Sequence, residues 1–145
     1  TRAAMEEGIV PGGGIALMNV VAKLSAPKAN DPVALGVQVI LRRALEAPLT
    51  AIVANSGEAP RTVIEELAAK KAKGDAAWVG FNAMTNRIAD LKEAGIIDPL
   101  KVVKTAFVSA VSVAATYLTV GAAVTDMPKK ESPMPGGMGG GMGDY

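Results

Sequence analysis

The run Gly8-Ile9-Val10-Pro11-Gly12-Gly13-Gly14-Ile15-Ala16-Leu17 limits what this chain can fold into more than any other, because three consecutive glycines open a charge-free segment patterned as a buried helix. Glycine lacks a Cβ and takes positive φ freely, but each one costs up to about 1 kcal/mol in a helix relative to alanine. Three together imply that something approaches the backbone closely. Two occupants suit: another helix packed tightly on the glycines, or an anion or flat ligand ring laid on bare N–H groups at a helix start. The usual phosphate signatures are missing. No Lys-Ser/Thr follows the glycines, and Leu17 stands where a dinucleotide fingerprint needs its third glycine.

What packs around that segment must be aliphatic. The 145 residues are 50% hydrophobic but only 3% aromatic, so the core is built from Ala, Val, Ile and Leu, which favours close-packed helices: one mainly all-α domain with a tail. A net charge of +1 gives no field for nucleic acid or an anionic membrane surface. Histidine and cysteine are both absent, which removes Ser-His-Asp and Cys-His catalysis and the usual zinc ligand sets, and leaves carboxylates, lysines or bound Mg²⁺ for any chemistry. The absence of cysteine also fits a reducing compartment. Thr1-Arg2-Ala3-Ala4-Met5-Glu6-Glu7 is too charged for a signal peptide. It reads as the last turns of a helix stopped by Gly8, without an initiator Met, so a longer parent chain is expected.

Along the chain, Gly8 to Ala22 is apolar on every face and reads as a buried helix too short to span a bilayer. After a loop at Ala26–Asn30, Asp31-Pro32 supplies the N-cap and N1 residues of a second helix. Its apolar stripe is Val37, Ile40, Leu41, Ala44, Leu45, Pro48, Leu49 and Ile52, with a kink expected at Pro48 and an end at Asn55-Ser56-Gly57. Pro60 starts a third helix with Val63, Ile64 and Leu67 inward, Glu66 and Lys70 paired outside, and a stop near Gly74. Ala77–Phe81 reads as a strand turning back at Asn82-Ala83 into Met84–Arg87, a small hairpin. Ile88–Ala94 is expected to be a short helix ended by Gly95, and Asp98-Pro99 a second Asp-Pro helix start with Asp98 as N-cap. Thr105–Thr125 carries no charge and has the length of a membrane span. Ser109, Ser112, Thr116, Thr119 and Gly121 interrupt it, so it is read as a buried helix that breaks near Gly121 into an extended edge strand, Ala122–Pro128. Beyond Pro128 the Gly-Met-rich tail buries too little surface to order itself.

In this order Thr1-Arg2-Ala3-Ala4, Glu6-Glu7-Gly8, Pro11-Gly12-Gly13-Gly14-Ile15-Ala16-Leu17, Glu46-Ala47-Pro48-Leu49, Gly80-Phe81-Asn82-Ala83, Gly95-Ile96-Ile97-Asp98-Pro99, Val124-Thr125-Asp126 and a Gly-Gly-Met tail closely resemble the C-terminal part of GroEL-type group I chaperonins. The resemblance covers essentially the whole chain. It implies that residues 1–8 end an intermediate-domain helix, 9–127 form the C-terminal half of the equatorial ATPase domain, and 128–145 form the tail. The fold it implies is a helical bundle with a small β-hairpin and a terminal edge strand.

By motif position the resemblance places Gly13 against the nucleotide, Asn82, Ala83 and Met84 along the adenine pocket, and Asp98 on the ribose. The residue chemistry agrees, since bare glycine backbone admits a flat ring and a carboxylate is a strong acceptor for ribose hydroxyls. Met84 stands where the family pattern has alanine and adds bulk beside the base. Asn55–Arg61 resembles part of the contact between two back-to-back rings, and Ala123–Met127 a strand that pairs with a neighbouring subunit. The phosphate-binding glycine loop, the Mg²⁺ ligand, the catalytic aspartate and the client- and co-chaperonin-binding domain of the family all lie outside this chain. The expected protein is an ATP-dependent, cytoplasmic folding chamber, a homo-oligomer of two stacked seven-membered rings that binds unfolded clients and uses ATP or ADP with Mg²⁺. This segment alone should not hydrolyse ATP and should expose apolar surface along Ile15–Leu24 and Val103–Leu118. The rival reading is a purely structural helical interaction domain, with the glycines as packing and Asp98 as a cap.

Overall fold

The computed structural model describes residues 1–24, 31–72, 76–122 and 124–125. The expected loop at 26–30, the Gly74 stop and the tail from 129 onward lie outside the described residues. Among the described residues the order is α1 (Arg2–Glu7), β1 (Ile9–Pro11), α2 (Ile15–Val21), α3 (Pro32–Asn55), α4 (Pro60–Lys71), β2 (Val79–Asn82), β3 (Arg87–Asp90), β4 (Ile97–Pro99) and α5 (Leu100–Leu118).

The long helices start where local chemistry directs. Asp31 Oδ1 accepts from the N–H groups of Val33 and Ala34, and Pro32 occupies the first turn, where its missing N–H costs nothing. Pro60 does the same for α4, which carries the Glu66–Lys70 pair at 3.3 Å. Pro48 sits inside α3, which continues to Asn55 and ends in Ser56-Gly57, with Gly57 at φ 87°.

The core gathers Ile15 of α2, Leu49 and Val53 of α3, Val63 and Leu67 of α4, Phe81 of β2 and Leu91 beyond β3. Leu45 is also buried, but the N-terminal part of the expected α3 stripe is not: Val37 and Ile40 are exposed. The triple glycine is a turn between β1 and α2, rather than the opening of one long helix. Gly14, at φ 79°, lets this turn lie directly on α3: a Cβ there would sit 2.7 Å from the Leu49 backbone nitrogen and 3.2 Å from the Pro48 carbonyl carbon.

Three expectations are corrected. Ile88–Ala94 is not a helix. Its first residues, with Arg87, form β3, in register Val79↔Asp90, Gly80↔Ala89, Phe81↔Ile88 and Asn82↔Arg87, so Met84, Thr85 and Asn86, expected in the return strand, belong to the turn. Asp90 Oδ1 then accepts from the N–H groups of Lys92 and Glu93, closing a turn that ends at Gly95, φ 69°. Asp98 is not an N-cap. It lies in β4, opposite Val10 of β1, and the N-cap position of α5 falls to Pro99. The Leu100 N–H donates to the Gly8 carbonyl at 3.1 Å, so backbone takes over a task a capping side chain would have done.

Finally, α5 is not buried in this chain: none of its residues is. It is tethered at its N-terminal part by Glu6–Lys101 and Glu7–Lys104 ion pairs to α1, the latter at 2.6 Å, while Val113, Tyr117 and Leu118 stand exposed. By length and composition alone it could cross a membrane. Of the expected edge strand, Ala122, Val124 and Thr125 are described and carry no strand pairing, and the remaining positions lie outside the described residues.

Candidate functional site

The glycine turn, the hairpin and β4 converge on one face. β1 and β4 pair antiparallel, Ile9↔Pro99, Val10↔Asp98 and Pro11↔Ile97, and the ladder runs into the turn through the Gly12 N–H, which donates to the Ile96 carbonyl at 3.0 Å. Gly13 follows at φ 63°. A Cβ there would lie 3.7 Å from the Phe81 carbonyl oxygen and 4.0 Å from Ile96 Cγ2. Gly13 thus sits between the residue before Asn82 and the strand that carries Asp98, three segments far apart in sequence.

Each flanking residue has a definite local role. Asn82 closes β2 and opens the hairpin turn: its Oδ1 accepts from the Met84 N–H at 2.9 Å, and its carbonyl from the Thr85 N–H at 3.3 Å. Asn86, with φ 52°, completes the return, and its Nδ2 donates to the Ser56 carbonyl at 3.5 Å. Ala83 and Met84 lie at the exposed tip, Met84 with 91% of its surface open. Asp98 is half-buried on β4. Gly13 thus adjoins the residue before Asn82 and lies two positions from Asp98 through Ile96, while the hairpin tip with Ala83 and Met84 stands open.

Beneath the hairpin a single side chain joins three elements. Asn19 of α2 donates through Nδ2 to the Ala77 carbonyl at 2.9 Å, and its Oδ1 accepts from Lys71 Nζ at the end of α4. Burial lowers the Lys71 pKa below its ordinary value, because the charged form loses water. A cleft of about 460 Å³ is lined by Glu58, Thr62, Glu66, Lys70, Phe81 and Arg87 among others, and none of the five expected site residues lines it.

The family model of the TCP-1/cpn60 chaperonin family matches residues 1–128. The chain belongs to that family. Its role is accordingly a chaperonin's, in protein folding, and its mainly helical fold is consistent with a part of the chaperonin equatorial domain. Within this chaperonin chain, sequence reasoning missed the β1–β4 pair, although the β-branched runs Ile9-Val10 and Ile96-Ile97 were its visible signal. It also missed Asn19, which no motif marks.

To a nucleoside the turn offers bare backbone and one nearby carboxylate. The Cβ position at Gly13 lies at ordinary contact distance from the Phe81 carbonyl oxygen and Ile96 Cγ2, and Asp98 brings a carboxylate to the strand that follows Ile96. A metal does not find the same support here: among the described residues no three Asp or Glu side chains gather into a ligand set.

Proposed function

We propose that this chain is the C-terminal half of the equatorial domain of an ATP-driven chaperonin, with residues 1–8 ending an intermediate-domain helix and 128–145 a tail. In this reading the chain holds the nucleoside end of ATP or ADP through Gly13, Asn82, Ala83, Met84 and Asp98. The observation that carries it is the Gly13 turn, whose Cβ direction faces both the Phe81 carbonyl and Ile96, and so adjoins the hairpin and the Asp98 strand at once. The nucleotide, when bound, supplies the free energy of phosphoryl transfer. This chain's part is to seat the base along the hairpin tip and accept ribose hydroxyl hydrogens at the Asp98 carboxylate. The phosphates, Mg²⁺ and attacking water belong to segments outside it, so the chain alone does not turn over ATP.

The exposed sides of α5 and of the first half of α3 face the rest of that domain and neighbouring subunits of a cytoplasmic double-ring homo-oligomer, whose clients and co-chaperonin are bound elsewhere. A helix apolar on every side is otherwise a poor surface for water. The test is an amide NMR titration of the chain with ADP. Shifts confined to Gly13, Asn82–Met84 and Asp98 are expected. Shifts centred instead on Thr62, Glu66 and Arg87 of the cleft, or none at millimolar ADP, refute the assignment. Phosphate release from the chain with Mg-ATP should stay at the blank.

A second reading, a structural interaction domain without a nucleotide role, is favoured by one observation: Gly12 and Gly14 are both filled by packing, against Ile96 and against Pro48-Leu49. It predicts no ADP response at Gly13.

A further inference from the structure

We infer that Asn19 and Lys71 are positioning residues for the base-binding edge of the nucleoside site; the inference rests on the reading just given. The hairpin that carries Asn82, Ala83 and Met84 begins after Ala77; Phe81 in the core and the Asn86 bond to the Ser56 carbonyl hold it toward α3 and α4, and two further contacts come from α2. The first is apolar: Gly80 of β2 lets Ile15 and Leu91 close over the strand, a Cβ there falling 2.5 Å from Ile15 Cγ1 and 2.4 Å from Leu91 Cδ1. Ile15 is the first residue of α2, directly after the glycines. The second is polar and lies one turn further along the same helix. Asn19 uses both ends of its carboxamide, donating to the Ala77 carbonyl and accepting from Lys71 Nζ.

One side chain on α2 therefore clasps the end of α4 and the root of the hairpin together. Together with the core packing of Phe81, these contacts align the strand beside Gly13. The Asn19 bond adds a directional tie at the root, before β2 begins. Asparagine suits the position because it is donor and acceptor at once, as the carbonyl on one side and the ammonium on the other require. Aspartate would meet the Ala77 carbonyl with an oxygen, and leucine would fill the space while making neither bond.

The experiment uses the whole chain and adenosine as the probe, with guanosine as competitor base, and reads affinity from the amide shifts of Gly13 and Met84. In Asn19→Leu, adenosine affinity is expected to fall about tenfold, the scale of one net hydrogen bond. Preference for adenosine over guanosine should narrow, and the shifts should spread over Phe81–Met84 while the Asp98 amide holds. Lys71→Arg, which keeps a donor, should retain affinity, and Lys71→Met should lose part of it; this pair carries the test if Asn19→Leu does not fold. A purely structural role would lower the unfolding midpoint and leave the adenosine-to-guanosine ratio as it was. Wild-type binding that folded Asn19→Leu and Lys71→Met leave unchanged overturns the inference alone. No adenosine binding by wild type overturns the nucleoside reading, and the inference with it.

Discussion

Gly14→Ala is the substitution that most directly tests how the glycine turn is built. The new Cβ would lie 2.7 Å from the Leu49 nitrogen, 3.1 Å from its Cα and 3.2 Å from the Pro48 carbonyl carbon. All three are backbone atoms of α3, so no rotamer change can make room, and the turn must lift off the helix. The φ of 79° adds its own penalty of about 1–2 kcal/mol for an L side chain. Overpacking against rigid backbone costs about 1–3 kcal/mol. Together these give about 2–5 kcal/mol, a large share of the roughly 5–15 kcal/mol that holds an ordinary domain. Gly95→Ala is the matched control, because its φ is 69° and nothing lies within 4 Å of its Cβ position. It should cost only the conformational part. Urea unfolding followed by far-UV circular dichroism and Trp78 fluorescence measures both. A Gly14→Ala loss no greater than that of Gly95→Ala would show that the turn does not rest on α3, and the account of the triple glycine as a close-packed turn would fail.

Asp98→Asn should weaken nucleotide binding by about 1–3 kcal/mol, the scale of a hydrogen bond to a charged acceptor, without the loss of helix stability that removal of an N-cap brings; equal ADP affinity in the folded variant removes Asp98 from the site. The exposed apolar face of α5 should make the isolated chain self-associate, and charged substitutions there, such as Val113→Lys and Leu118→Glu, should leave its unfolding free energy within about 0.5 kcal/mol of wild type and reduce that association; light scattering that shows the same mass for both would contradict this. Lys71, whose pKa burial lowers, binds its proton less well folded than unfolded, so its burial destabilises the fold at neutral pH. That cost is relieved as pH rises through the lowered folded value toward the unfolded 10.5. The stability gap between wild type and Lys71→Met should therefore shift in favour of wild type across that window, and a gap that does not move with pH would contradict the burial.

Local chemistry was legible because each signal is complete within a few residues. Asp31-Pro32 and Ala59-Pro60 set the starts of α3 and α4, Ser56-Gly57 ended α3, and Glu66–Lys70 paired one turn apart. The ordered motifs likewise identified the family before any geometry did. Asp98 shows where local reading stops. Asp-Pro before an apolar run is a sound helix-start signal, but β4 pairs with β1 from the other end of the chain, and that pairing holds Asp98 extended and hands the cap to the Gly8 carbonyl. Ile88–Ala94 went the same way, since its short apolar spacing fitted a helix until Phe81 and Ile88 were brought opposite each other.

The sequence by itself determined which segments can be helical, that the core is aliphatic, and which family the chain resembles, because cap, turn and periodicity preferences are paid within one or two turns of backbone. The tertiary structure alone decided that Gly14 packs on α3 while Gly13 faces Phe81 and Ile96 at ordinary contact distance, that Asn19 ties α2 to α4 and the hairpin, and that α5 stands exposed in this chain. Those outcomes depend on which distant surfaces meet, and no local preference carries that information.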